Sequence, residues 1–442
     1  MELVFVHGYS VRNTATYGDL PTRLEREMAR LGLPLNIEHI YLGKYVSFND
    51  QVSLDDLSRA FDSAIREKGL TRFACITHST GGPLVRNWIT RHGGARLTHL
   101  IMLAPANHGS ALAQLGKGRL ARIKAFFESV EPGQRILDWL ELGSEAQWAL
   151  NSAWLDFDGP ARRLFPFVLT GQSIDRKLYD HLNSYTGEPG SDGVVRAAAA
   201  NLNYSRVRLL QQPSGELTLV SSRRTAPTPF AILPGLSHCG RSLGIMTSVT
   251  LDEAPHPTVA TILDCLRVTN EASYQAARHA FALLTKQTQS AEAPASPPHS
   301  LVCFRLLDDE GQLLEDYDLL FTAGADASPD RLPKGVFRDR QRNRVHPGRL
   351  TYYLDHSRLT NEPIGFEVHA RPDSGLIHYA PAHIPPQALG ALLRPNEAIL
   401  VEIILLRRVD RNCFTLTENR APEPISGAPA GPICQTNPTP SQ

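Results

Sequence analysis

Phe73-Ala74-Cys75-Ile76-Thr77-His78-Ser79-Thr80-Gly81-Gly82-Pro83-Leu84-Val85 is the stretch on which the reading of this chain turns. The apolar run Phe73 to Ile76 predicts a short buried strand, Ser79 the tip of a sharp turn, and Gly81-Gly82 the opening of a helix. A serine on such a strand–turn–helix corner is lifted clear of the sheet, and the first amides of the helix point toward whatever it attacks. Gly81 and Gly82 allow the helix to approach the strand closely. The pattern therefore marks Ser79 as a nucleophile. It departs from the usual G-x-S-x-G at its first position, where β-branched Thr77 stands in a turn with little room. A bare S-x-G arises by chance in a long chain, so the reading needs partners.

The partners lie downstream in the order serine, acid, histidine that an α/β sheet of this kind uses. Gly190-Ser191-Asp192-Gly193 sets an acid in a glycine-flanked turn after the apolar stretch Leu164 to Thr170. Phe230-Ala231-Ile232-Leu233 then runs into Pro234-Gly235-Leu236-Ser237-His238-Cys239-Gly240, a loop carrying a histidine. Asp192 would orient the imidazole, and His238 would take the Ser79 proton and return it to the leaving group. Taken alone, Asp192 is an ordinary turn aspartate and His238 one of sixteen histidines. Asp175, Asp180 and Asp252 are alternative acids, and His256 is an alternative base. At the amino end, Glu2-Leu3-Val4-Phe5-Val6 reads as a strand entering His7-Gly8-Tyr9-Ser10. A strand followed by His-Gly is where this class builds half of its oxyanion hole, so the expected donors are the amides of Tyr9 and Thr80. Losing one such donor costs about 3–4 kcal/mol of transition-state stabilisation.

With Val6-His7-Gly8, His78-Ser79-Thr80-Gly81-Gly82, Leu103-Ala104-Pro105-Ala106-Asn107-His108-Gly109-Ser110, Ser191-Asp192-Gly193-Val194-Val195 and Ser237-His238 in view, the chain resembles lipases of the α/β-hydrolase superfamily. It is most similar in these motifs to lecithin:cholesterol acyltransferase and the GPI inositol-deacylase, over roughly the first 270 residues. Some lipase effectors delivered between bacteria share the layout. The resemblance implies a lipid ester as substrate, met at a membrane or lipid surface. It implies no metal and no organic cofactor.

Composition narrows the class further. The chain has 442 residues, equal numbers of basic and acidic groups (45 each) and a pI near 7.3, so nothing draws it globally to nucleic acid or anionic lipid. The arginine-rich run Phe337 to Arg344 is interleaved with polar and acidic residues and reads as a solvated face or loop. Cys75, Cys239, Cys265, Cys303, Cys413 and Cys434 show no metal or redox spacing, and Cys75 and Cys303 read as small buried hydrophobes. His346, His356, His369, His378 and His383 lack the spacing of a ligand set. A strand beginning at Glu2 leaves no room for a cleaved leader, and no run of eighteen apolar residues spans a membrane. The expectation is a cytoplasmic protein, or one exported by a leaderless route.

Strand and helix patterns alternate through the first 270 residues, which predicts a mostly parallel sheet flanked by helices. Ser53 and Asp56 form a capping box that opens a helix with Leu57, Phe61, Ala64 and Ile65 on one face. The expected organisation is an α/β-hydrolase domain over 1–286, interrupted by a helical lid insertion over 110–160. A Pro/Ala/Ser-rich linker follows over 287–299, then a smaller all-β, sandwich-like domain over 300–418 and a disordered tail over 419–442. Three of the four tryptophans (Trp139, Trp148 and Trp154) fall in the expected lid, whose apolar face would meet acyl chains. The alternative is that these residues pack a larger core. The leading functional reading is a serine hydrolase cleaving lipid esters through an acyl-enzyme. A small-ester esterase, or a degenerate hydrolase fold acting as a binding or adaptor protein, are the alternatives, the last favoured by Thr77.

Overall fold

Successive apolar residues in the first strands point to opposite faces of one sheet, and both faces are buried. Val4, Val6, Cys75, Leu100 and Met102 join one core, while Leu3, Phe5, Ala74, Ile76 and Ile101 join another on the reverse side. This computed structural model describes residues 1–7, 14–41, 51–115, 134–174, 188–293, 296–359, 363–371, 376–385 and 389–410. Its first sheet consists of β1 (Glu2–His7), β2 (Asn36–Tyr41), β3 (Phe73–His78), β4 (Leu97–Leu103), β5 (Phe165–Thr170) and β8 (Phe230–Ile232). The order is β2-β1-β3-β4-β5-β8, and every pairing is parallel. From β1 the chain goes to one side to form β2, then crosses back to form β3 on the other. That reversal opens a crevice beyond the carboxyl ends of β1 and β3, where ligands of such sheets bind.

Among the described residues, helices α1 (Leu20–Arg30), α2 (Leu54–Glu67), α3 (Gly81–His92), α4 (Gln134–Leu140), α5 (Glu145–Trp154), the single turn α6 (Ala197–Ala200), α7 (Pro257–Leu266) and α8 (Glu271–Glu292) accompany this sheet. The capping box at α2 forms as the sequence predicts: Ser53 N donates to Asp56 Oδ2 (2.9 Å), and Asp56 N donates to Ser53 Oγ (3.2 Å). Leu57, Phe61 and Ile65 lie buried on its inner face.

The second sheet draws on both halves of the chain. Its strands are β6 (Tyr204–Gln211), β7 (Leu217–Arg224), β9 (His299–Asp308), β10 (Leu313–Leu314), β12 (Phe337–Arg342), β13 (Arg349–Asp355) and β17 (Ala398–Leu405). They run in the order β12-β13-β9-β17-β6-β7, with β10 on β9. β17 is parallel to both β6 and β9, so the sheet is mixed. One face packs on a three-stranded sheet of β11 (Tyr317–Ala323), β14 (Ile364–Ala370) and β16 (Ala382–Ile384), enclosing Phe304, Phe321, Tyr352 and Phe366. β15 (Ile377–His378) and β18 (Arg408–Val409) form a separate pair. The other face supplies Tyr204, Leu301, Cys303, Tyr353 and Leu400 to the core shared with α3 and α5.

Three expectations need correction. The expected linker 287–299 is helical through Glu292: Thr288 is buried, Gln289 and Asn396 exchange side-chain hydrogen bonds (3.0 Å each), and Glu292 accepts from Gln172 and Gly235. Gln, Ala, Ser and Glu before the first proline tolerate a helix, and those contacts hold it. The expected boundary near residue 286 also fails to contain the second sheet, because the hairpin 204–224 belongs to it. The arginine-rich run, expected as a solvated face or loop, is a solvated face: it forms edge strand β12 with Arg338 and Arg340 exposed, which agrees with the use of charge to protect sheet edges. Finally, the described part of the expected lid packs as core: Trp139, Trp148 and Trp154 are at most 6% exposed. Residues 116–133 of that insertion lie outside the described residues, as does the expected tail. Among the described residues, no helix is long and apolar enough to cross a membrane.

Candidate active site

Ser79 follows β3 directly and adopts φ = +54°, a left-handed conformation that L-residues with a Cβ rarely hold. Hydrogen bonds pin this corner. Ser79 N donates to Leu103 O (3.0 Å), and Ser79 O accepts from Gly82 N and Ala106 N (3.3 Å each). Ala104, beyond the neighbouring strand, also has positive φ (+47°) and donates to Leu169 O (2.7 Å). The two glycines are required by packing. A Cβ on Gly82 would sit 2.7 Å from Pro105 Cβ, and one on Gly81 would sit 3.3 Å from both Thr77 Cβ and Val6 O. Thr77 is thus accommodated inside the strand by the absence of a side chain at Gly81, and the corner keeps its geometry without a glycine two residues before the serine. Thr80 follows Ser79 as the residue that caps α3, so its amide belongs to that helix N-terminus. Gly8 and Tyr9, where the other oxyanion donor is expected, lie outside the described residues.

Asp192 and His238 meet. His238 Nδ1 lies 2.9 Å from Asp192 Oδ2, and both side chains are at most 1% exposed. The acid's second oxygen accepts from Val194 N (3.0 Å) and Val195 N (2.8 Å), so the carboxylate is held by three donors. Backbone bonds join the two loops as well: His238 N donates to Asp192 O (2.9 Å). The histidine loop is braced by Ser237 N to Leu243 O and Ile245 N to Ser237 O (2.8 Å each), and any Cβ on Gly171 would collide with the Leu236 carbonyl.

The sequence reading missed His78, the residue that brings this pair to the elbow. Its buried ring stands 4.6 Å from the His238 ring, and its Nε2 donates to the His238 carbonyl (3.2 Å). Because His78 immediately precedes Ser79, His238 is tied to the corner that carries the serine. The position itself was the available signal. Of the alternatives, His256 caps α7, with Nδ1 accepting from Thr258 N (3.2 Å) and Nε2 beside Ser248 Oγ (3.0 Å). Asp252 is exposed, and Asp175 and Asp180 lie outside the described residues.

The Asn107-His108-Gly109-Ser110 run forms the wall between elbow helix and acid loop. Ser110 Oγ donates to Val194 O (2.6 Å), and Asn107 Nδ2 donates to Ala200 O (2.7 Å). Behind them lies Arg86, fully buried on α3. It donates to Asn107 Oδ1 (3.2 Å) and Asn151 Oδ1 (2.9 Å) and lies over the Trp154 ring (4.5 Å). Burial pulls the Arg86 guanidinium down to about 10. Burial, and then the Arg86 charge, pull the His108 imidazole down to about 3. His108 is therefore neutral, and its Nδ1 accepts from Asn151 Nδ2 (3.2 Å).

A parallel sheet with a sharp serine corner at its switch point, and an acid and a histidine on loops past later strands of the same edge, is the α/β-hydrolase fold. No family model matches the chain, and comparison with curated proteins finds no match. Solved structures do match. Phospholipase PlaB from Legionella pneumophila is 47% identical, with 98% of each chain covered and a TM-score of 0.89. The same phospholipase in complex with thio-NAD is 44% identical, covering 98% of this chain and 99% of that one, with a TM-score of 0.86. The chain belongs to this phospholipase family, and it is a carboxylic ester hydrolase of the lipase type.

Proposed function

We propose that the chain cleaves acyl esters of phospholipids through a covalent intermediate on Ser79, with His238 as proton carrier and Asp192 as its partner. The buried Asp192–His238 hydrogen bond, tied to the elbow by His78, carries the reading. With Nδ1–H given to the carboxylate, the His238 lone pair is on Nε2, the nitrogen available to accept the Ser79 proton. Ser79 Oγ adds to the ester carbonyl, and its proton passes to His238. The Thr80 and Tyr9 amides receive the oxyanion. The tetrahedral adduct expels the lysolipid alcohol, which takes the proton from His238. Water then adds to the acyl-serine with His238 again as base, releasing the fatty acid and restoring the serine. The substrate class rests on the family, and access to it from a lipid surface follows from the nature of such substrates.

The test labels the full chain with a fluorophosphonate probe and follows hydrolysis of mixed phospholipid vesicles by mass spectrometry. Wild type should be labelled and release fatty acid and lysophospholipid, and Ser79→Ala should do neither. Equal hydrolysis by Ser79→Ala would remove Ser79 from the reaction. Since the Legionella phospholipase has been solved with thio-NAD bound, each assay is run with and without a nicotinamide dinucleotide.

A further inference from the structure

We propose that the second sheet is part of the catalytic apparatus: Tyr353, together with the Arg196–Asp339 ion pair, acts as a positioning group for Asp192. The inference rests on the reading of Asp192 as the partner of His238. Asp192 sits in a tight turn closed by Ala197 N to Gly190 O (2.9 Å) and Asp192 N to Val195 O (3.2 Å). Both ends of that turn are gripped by residues of β12, β13 and β9, more than a hundred residues later in the chain.

At the first end, Tyr353 Oη donates toward the carbonyls of Pro189 and Gly190 (3.1 Å each). Gly190 has φ = +74°, and a Cβ there would lie 2.7 Å from both Tyr353 Oη and His299 Nδ1, so the turn is pressed onto the sheet. At the other end, Arg196 is buried and makes two bonds to Glu188 (Nε 2.8 Å, Nη2 2.9 Å) and an ion pair with Asp339. Its guanidinium lies 4.3 Å from the centre of the Tyr353 ring. Asp339 and Tyr353 are register partners on adjacent strands, so one patch of sheet holds both ends of the turn. His299 stacks on the Tyr353 ring (4.4 Å, 10° between planes) and fixes its orientation. The Asp192 carboxylate takes two of its three donors from this same turn, so a shift of the turn moves the carboxylate relative to His238.

The experiment is a double-mutant cycle on the full chain, with a soluble short-chain phospholipid as substrate and circular dichroism to check folding. Tyr353→Phe keeps the ring contacts and loses only the two hydrogen bonds. It should lower kcat about tenfold at unchanged KM and move the acid limb of the kcat/KM profile to lower pH, because a loosened carboxylate stabilises the imidazolium less. In an Asp192→Asn background the same change should have almost no further effect on kcat. Asp339→Asn, at the rim of the patch, should behave alike with a smaller loss of about threefold and serves if Tyr353→Phe does not fold. Additive losses in the cycle, or an unchanged kcat in both folded variants, would overturn the positioning role and leave the triad reading standing. An Asp192→Asn enzyme as active as wild type would remove the triad reading and the positioning role together.

Discussion

Lowering the pH from 7.5 to 5 should destabilise this fold by about 4 kcal/mol through two imidazoles, His299 and His108. Burial pushes His299 down from 6.5 to about 4. Asp355 and the Pro297 carbonyl favour its charged form and Arg338 and Arg196 oppose it, but burial outweighs them. His108 is pushed down to about 3, by burial first and then by Arg86. Both values are depressed relative to the unfolded chain, so above about pH 6.5 neither state binds the proton and the full stability is present. Between that point and the folded value the unfolded chain binds more protons, and stability falls as the pH falls. At pH 5 an unfolded imidazole is almost fully protonated while the folded one is not, which gives about 2 kcal/mol for each residue. Against a typical total of about 5–15 kcal/mol this is a large fraction. The assay is urea unfolding at pH 7.5, 6.25 and 5, comparing wild type with His299→Phe, which keeps a ring on Tyr353 but does not titrate. The variant should lose about half as much stability over the interval. If both proteins lose the same amount, His299 is not the buried neutral group described above.

Three further outcomes follow from the packing. Gly82→Ala should cost about 1–3 kcal/mol despite a helix-propensity gain of about 1 kcal/mol, because the new methyl meets the rigid Pro105 ring at 2.7 Å. It should also lower kcat/KM by displacing the Thr80 amide, while Gly81→Ala, with 3.3 Å contacts, should be milder in both thermal melts and kinetics. Asp192→Asn should fold normally and lose about 10³–10⁴ in kcat on a soluble ester, since an amide cannot hold the required tautomer. Arg86→Met should lower stability by about 2–5 kcal/mol in denaturant titrations, because the Asn107 and Asn151 side-chain oxygens lose their buried donor.

The elbow was legible because its determinants are local. A buried strand, a serine and two glycines lie within ten residues, and the turn they make depends on backbone geometry and on side chains too small to clash. The parallel sheet was legible for a similar reason, since apolar runs alternating with amphipathic helices admit few layer arrangements. The capping box at Ser53 needed only three residues. Asp192 and His238 could be nominated by their order along the chain, but only the fold brings Nδ1 and Oδ2 to 2.9 Å.

Other features depended on partners that no local pattern names. An apolar run marks a strand without saying which sheet it joins, and so the boundary drawn at residue 286 separated 204–224 from the strands at 299–308 and 398–405 that it accompanies. Gln287–Glu292 reads as linker by composition, yet hydrogen bonds to Asn396, Gln172 and Gly235 hold it helical. Trp139, Trp148 and Trp154 read as a mobile cover because a helical apolar face looks the same whether it meets lipid or core. The second sheet decided that by packing its Tyr204, Leu301 and Leu400 into the same core. Nor does anything near Asp192 in sequence foretell Tyr353 or Asp339. Local conformation is set by steric limits between neighbours, which the sequence carries in full. Contact between residues far apart is set by which buried surfaces and unpaired polar groups find each other, and that is decided only when the chain has folded.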